Sequence, residues 1–261
     1  MFFFINTNFL FKVDSNKFMS MYQLSNTWFI IHSSVAPIYA DPTFNAPCTS
    51  ETVFGESCKV IGQRDNWLNI KCEDGYEGWI NEFYGKTKSA KNKPTYIVVF
   101  PNEKGTYSHN YPFGAQIKQN IPGSIQITDT LGIDQIIPVA KNLLGIPYKW
   151  GGKTSYGFDC SGLVQSVLKV CGLSIPRDSY QQHDFFLEDE IEIDEAEPGD
   201  LHFFGKSGDI THVGLSTGKK GILHSQGSVK EESLDIRQKL ANKKLIDFYI
   251  STHSIRRKFN Q

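Results

Sequence analysis

Phe158-Asp159-Cys160-Ser161-Gly162-Leu163, continued by Val164-Gln165-Ser166-Val167-Leu168-Lys169-Val170-Cys171-Gly172, reads as a helix that begins at a cysteine. Leu163, Val164, Val167, Leu168 and Cys171 fall on one helical face. Asp159 is a good N-cap and Gly172 a good C′ residue. A thiol in the first turn feels the positive end of the helix dipole, which favours the thiolate, the nucleophilic form. Cys171 sits on the apolar stripe, where a buried, inert cysteine belongs. Cys160 stands off that stripe, next to a capping aspartate, and reads as a nucleophile.

Around this helix the chain from Gly132 onward orders its elements as helices first, then strands. Ile133 to Leu144 is helical and ends at Gly145 and Pro147. Pro147-Tyr148-Lys149-Trp150-Gly151-Gly152 is a turn that delivers the chain to Cys160. A shorter helix follows Ile175. Strands are expected at Leu201–Phe204, Ile210–Leu215 and Gly221–Ser225, which is an α+β layout with helices packed on an antiparallel sheet.

Two of the seven histidines stand out. His212 shares a strand face with Ile210 and Gly214, and His224 shares one with Ile222. A hairpin centred on Gly218 would set His212 directly opposite His224, with Cβ atoms ~4.5–5.5 Å apart. A helix-terminal cysteine packed on a sheet that carries a histidine pair is a way to activate a nucleophile: one imidazole takes the thiol proton and the other orients it. His202, in the preceding strand, is a rival for either role.

Upstream, from about Tyr22 to Gly85, short runs rich in β-branched and aromatic residues alternate with turns such as Asp41-Pro42, Asp65-Asn66 and Asp74-Gly75. Roughly five strands and a small barrel are expected. Trp67 to Ile80 reads as a hairpin with Tyr76 at or near its tip. Residues 87–130 read as a connection with one or two strands, packed in part across the junction, because a structureless loop of that length is unusual.

The composition fits a globular chain of 261 residues, 39% hydrophobic and 21% charged, long enough for two modest domains. A net charge of −1 gives no electrostatic case for nucleic acid or an anionic membrane. Cys48, Cys58 and Cys72 read as small core residues of strands. No Cys-x-x-Cys, zinc framework or disulfide framework is evident. Residues 1–20 are apolar but lack a basic n-region and a cleavage site, so they read as a leader that is dispensable or misassigned. This pattern places the protein in the cytoplasm.

The motifs Pro147-Tyr148-Lys149-Trp150-Gly151-Gly152, Asp159-Cys160-Ser161-Gly162-Leu163, Pro176-Arg177-Asp178-Ser179-Tyr180-Gln181-Gln182, Pro198-Gly199-Asp200-Leu201, Thr211-His212-Val213-Gly214-Leu215 and Ile222-Leu223-His224-Ser225 occur in the order seen in the NlpC-type cell-wall cysteine peptidases. The resemblance covers residues 131–258 and implies a papain-like α+β domain. It implies Cys160 as nucleophile, His212 as base, His224 as third member and Tyr148 near the scissile carbonyl. Residues 21–86 resemble a bacterial SH3 domain. The whole chain resembles γ-D-glutamyl-L-diamino-acid endopeptidases with an N-terminal SH3 domain, which act on murein peptides that carry a free N-terminal L-Ala. In that group a tyrosine of the SH3 domain and the residues flanking the nucleophile hold the ammonium; the matching positions are Tyr76, Asp159 and Ser161. The resemblance implies no metal or organic cofactor, a monomer, and a role in murein peptide recycling. The alternatives are an exported hydrolase or amidase on polymeric wall, and a non-catalytic wall-binding protein.

Overall fold

Strand alternation builds the first unit. In the computed structural model, which describes residues 26–100, 111–129 and 131–259, seven strands form one sheet. They are β1 (Trp28–Ile31), β2 (Val35–Tyr39), β3 (Cys48–Val53), β4 (Ser57–Arg64), β5 (Trp67–Lys71), β6 (Glu77–Asn81) and β7 (Gly85–Lys88), in the order β3-β2-β6-β5-β4-β1-β7. Phe29, Ile31, Ala36, Ile38, Cys58, Val60, Leu68, Ile70 and Ile80 fill its core. The expected β5–β6 hairpin is present, and its turn holds Gly75 at φ +85°. Five strands were expected, and β3 and β7 are the additions. Both are polar: β3 reads Cys-Thr-Ser-Glu-Thr-Val and β7 Gly-Lys-Thr-Lys. Strand periodicity in apolar residues therefore misses them.

The connection is more ordered than expected. β8 (Tyr96–Val98), β9 (Gln116–Ile117) and β10 (Ser124–Gln126) form a three-stranded sheet with β8 central. One face gives Val98, Ala115 and Ile117 to a cluster with Val53 of the barrel. Ile97, Val99 and Phe113 join the core of the second unit instead. The segment is thus a wedge that shares apolar burial with both neighbours. Residues 101–110 of it, and the expected leader at 1–20, lie outside the described residues.

The second unit contains α1 (Ile136–Lys141), β11 (Lys153–Thr154), β12 (Gly157–Phe158), α2 (Cys160–Val170), α3 (Ser179–Phe185), β13 (Glu190–Ile191), β14 (Leu201–Lys206), β15 (Asp209–Gly218), β16 (Gly221–Gln226), β17 (Ser228–Ser233), α4 (Lys243–Phe248), β18 (Tyr249–His253) and α5 (Arg256–Phe259). Its six-stranded antiparallel sheet runs β13-β18-β14-β15-β16-β17. Leu201, Phe203, Val213, Leu215 and Leu223 share a core with Leu163, Val164, Val167 and Leu168 of α2, so the cysteine helix lies on the sheet as the sequence predicts. No helix among the described residues is long and apolar enough to cross a membrane.

The two units meet through charge. Glu51 of β3 is buried (1% exposed) and pairs with Lys149 Nζ while accepting from the Lys153 amide at 3.1 Å. Gln165 donates to Asp74 at 2.9 Å, and Lys169 to Glu56 at 2.6 Å. Those polar β3 side chains are buried because they face the second unit.

Candidate active site

Asp159 caps α2 by accepting from the Gly162 amide at 2.6 Å. Gly162 is required here: a Cβ at this position would lie 2.1 Å from the carbonyl oxygen of Gly152. The Trp-Gly-Gly turn is thereby pressed against the first turn of the cysteine helix, and Gly151 donates to Asp159 Oδ2 at 2.9 Å.

Asp159 does more than cap. Arg177, 1% exposed, grips it with Nη1 at 3.0 Å and Nη2 at 2.6 Å. Nη1 also donates to Ser161 Oγ at 2.9 Å, and Nε donates to Ser50 Oγ of β3 at 3.0 Å. One buried guanidinium therefore links the cysteine helix to the barrel. The sequence reading quoted Arg177 within a motif but gave it no role. Tyr76 is half-buried at the hairpin tip and donates to the Thr49 carbonyl at 3.4 Å. The charges of Asp178 and Arg177 both act on it, so it lies by this cluster.

Cys160 is buried (8% exposed), with the Val213 backbone amide near its sulfur. Burial, and then the Asp159 carboxylate, push the thiol up to about 11, against the thiolate that the helix terminus favours. Tyr148 is pushed up to about 12 by burial and then by Cys160, which places its protonated hydroxyl near the sulfur.

The histidine pair forms, but in another register. Ser216 faces Ile222, and Gly218 faces Gly221, around a Lys219-Lys220 turn. A hairpin centred on Gly218 would have set Ser216 against Lys220. A shift of this size leaves each side chain on its face. His212 and His224 are therefore diagonal neighbours, and Gly214 lies across from His224. A Cβ on Gly214 would sit 2.9 Å from the Cβ of His224, so the glycine opens the space in which the rings meet. His212 Nε2 lies 2.8 Å from His224 Nδ1. His202 instead bonds Thr252 Oγ1 at 2.8 Å.

Behind the pair lies a residue the sequence reading missed. His224 Nε2 is 2.8 Å from Glu232 Oε2 on β17. Asn242, the N-cap of α4, donates to the same oxygen at 2.6 Å, and Lys230 pairs with the other at 3.1 Å. Burial would raise the Glu232 pKa, but bonds from Asn242, Lys230 and His224 hold it below the usual range. The signal was the Gln226-Gly227-Ser228 turn, which starts a second hairpin and brings Glu232 diagonal to His224.

An ionised Glu232 fixes every tautomer in the relay. It accepts from His224 Nε2–H, which leaves His224 Nδ1 as an acceptor. His212 Nε2–H then donates to it, and the lone pair of His212 is left on Nδ1. Among the described residues that nitrogen makes no hydrogen bond.

Two profiles of known families match this chain. The NlpC/P60 family matches residues 145–249, and the bacterial dipeptidyl-peptidase SH3 domain matches residues 38–82. The γ-D-glutamyl-L-lysine dipeptidyl-peptidase of Bacillus subtilis (strain 168) is 30% identical over 237 residues, which span 75% of this chain and 78% of that protein. The chain belongs to the NlpC/P60 family. It is a cysteine peptidase with an N-terminal SH3 domain. The enzyme of the same name from Bacillus cereus (strain ATCC 10987 / NRS 248) is 27% identical, over 72% of this chain and 69% of its own. The crystal structure of an NlpC/P60 family protein from Bacillus cereus ATCC 10987 superposes with a TM-score of 0.71 at 19% identity, covering 87% of this chain and 99% of that one.

Four histidines of the second unit are held toward the neutral form. Burial lowers His202 to about 4, and burial and then His224 lower His212 to about 3; His224 and His253 are lowered as well, burial leading in both. Each folded pKa lies below the unfolded value of 6.5. As pH falls below 6.5 the unfolded chain binds protons that the folded chain refuses, so stability is full above that pH and is lost toward acid. The melting temperature is expected to drop on the order of 10 °C between about pH 7.5 and about pH 5. His202→Gln, which removes one of these groups, is expected to make the drop shallower in thermal denaturation curves.

Proposed function

We propose that this peptidase hydrolyses the bond between γ-D-Glu and the diamino acid in murein peptides that carry a free N-terminal L-Ala, with Cys160, His212 and His224 as its catalytic set. The observation that carries the substrate reading is Arg177. It joins the cysteine helix to β3, and in this reading the SH3 domain closes one end of the cleft so that only a short free peptide end fits there. The names of the two Bacillus relatives support the same bond.

In this reading His212 Nδ1 takes the proton of the Cys160 thiol as the sulfur attacks the γ-carbonyl carbon of D-Glu. The carbonyl π electrons move to oxygen, where the Cys160 N–H at the helix N-terminus and the Tyr148 hydroxyl donate hydrogen bonds. His212 returns its proton to the amine of the diamino acid as the C–N bond breaks. A water, deprotonated by His212, then cleaves the thioester and restores the thiol. In this reading the thiol and the imidazole are both neutral at rest and the nucleophile is made on demand.

The ammonium of L-Ala needs acceptors and a negative charge once it leaves water. Tyr76, Asp159 and Ser161 provide them in this proposal. Asp159 already carries Arg177, so we add Asp178, whose charge acts on both Tyr76 and Arg177. The enzyme is proposed to act as a cytoplasmic monomer in murein peptide recycling.

The test is to incubate the protein with L-Ala-γ-D-Glu-meso-diaminopimelate and its N-acetylated form and to follow products by mass spectrometry. Cleavage of the free peptide alone is expected. Equal cleavage of both removes the ammonium pocket, and cleavage of neither removes the substrate. Glu232 is tested separately. Glu232→Gln keeps the shape but loses the charge that fixes His224, and is expected to lower kcat about 10- to 100-fold and to change the acid limb of the pH–rate profile. An unchanged profile would reduce Glu232 to packing.

A further inference from the structure

A cleft of about 460 Å³ opens beside His212, and Arg177 is not among its lining residues. Tyr148 and His212 both line it. Phe204, Leu245 and Phe248 give it apolar walls, and Thr211, Gln226 and Lys244 give it polar ones. No described residue of the SH3 domain or of the wedge lines it. If the acyl half of the substrate lies toward the SH3 domain, the departing amino acid lies here. The inference rests on that orientation.

The charge of the cleft is one-sided. Its lining holds no carboxylate. Its histidine is neutral, held low by burial and then by His224. Among the described residues that line it, Lys244 carries the one permanent charge. Lys244 is exposed and makes no ion pair among the described residues. It is also held in place: Asn242 caps α4 through the Leu245 amide at 3.1 Å and ties the helix to Glu232, while Leu245 is buried with Phe204, Ile222 and Leu234. A cation on an anchored helix beside a catalytic base attracts an anion, and it repels a second ammonium.

We infer that this cleft is the leaving-group subsite and that Lys244 recognises a carboxylate of the departing amino acid. Phe204, Leu245 and Phe248 receive its methylene chain. Two carboxylates meet this description, the α-carboxylate and, in a diamino diacid, the side-chain carboxylate.

Steady-state kinetics on four tripeptides with free L-Ala separates them: L-Ala-γ-D-Glu-meso-diaminopimelate, the same with its side-chain carboxyl amidated, the same with its α-carboxyl amidated, and L-Ala-γ-D-Glu-L-Lys. One amidation is expected to raise KM about tenfold, and which one identifies the carboxylate. In Lys244→Gln that difference is expected to vanish, and in Lys244→Glu the amidated peptide becomes the better substrate. Circular dichroism of both variants checks the fold. Wild-type enzyme that cleaves all four equally, or a Lys244→Gln variant that keeps the preference, overturns the inference and leaves the proposed reaction standing. Cleavage of none of the four removes both.

Discussion

Cys160→Ala is expected to abolish peptide hydrolysis, with a loss of about 10⁴-fold or more in kcat/KM and a melting temperature close to wild type. The sulfur is the only atom removed. Its neighbours are set by other groups: Asp159 caps the helix, and Gly152 packs on Gly162. The relay of His212, His224 and Glu232 lies on the sheet and does not depend on the thiol for its bonds. A variant that folds and is inert therefore isolates the chemistry. Residual hydrolysis within about tenfold of wild type would require another nucleophile.

Arg177→Met is expected to be the most destabilising single change. It strips a buried carboxylate of its counter-ion, and breaking a buried pair from one side costs about 3–5 kcal/mol. The expected fall in melting temperature is on the order of 10 °C. Four hydrogen bonds go at once: two to Asp159, one to Ser161 and one to Ser50. The last is a bond between domains, so the SH3 domain is expected to loosen from the NlpC/P60 domain. Limited proteolysis near the wedge would report this. Adding Asp159→Asn removes the orphaned charge but keeps a capping side chain, and should recover part of the loss. A single variant as stable as wild type would mean that water reaches Asp159.

The helix at Cys160 was legible because its cap, apolar face and glycines all agree. Pairing of His212 with His224 was legible because alternation fixes the face of a strand even when its register is uncertain. The register was not, since Lys219 takes a positive φ (51°) that the sequence does not announce, and a bulge follows Ser216. β3 escaped because Ser50, Glu51 and Thr52 look like surface residues until the second domain is in place. Arg177 and Glu232 escaped for a related reason. Arg177 acts through Ser50, remote in the chain, and Glu232 through His224 across a hairpin whose register the sequence does not fix. The burial that opposes a thiolate at Cys160 was not legible, because the dipole is a local property and burial is a tertiary one. The polar residues that join elements far apart carry the chemistry here, and local pattern is silent about them.

The most direct measurement is rapid acid quench of the enzyme with L-Ala-γ-D-Glu-meso-diaminopimelate, followed by peptide mapping by mass spectrometry. The predicted result is an added L-Ala-γ-D-Glu acyl group on the peptide that contains Cys160, absent from Cys160→Ala. The same acyl group on another residue, or turnover by Cys160→Ala at an undiminished rate, would contradict the account.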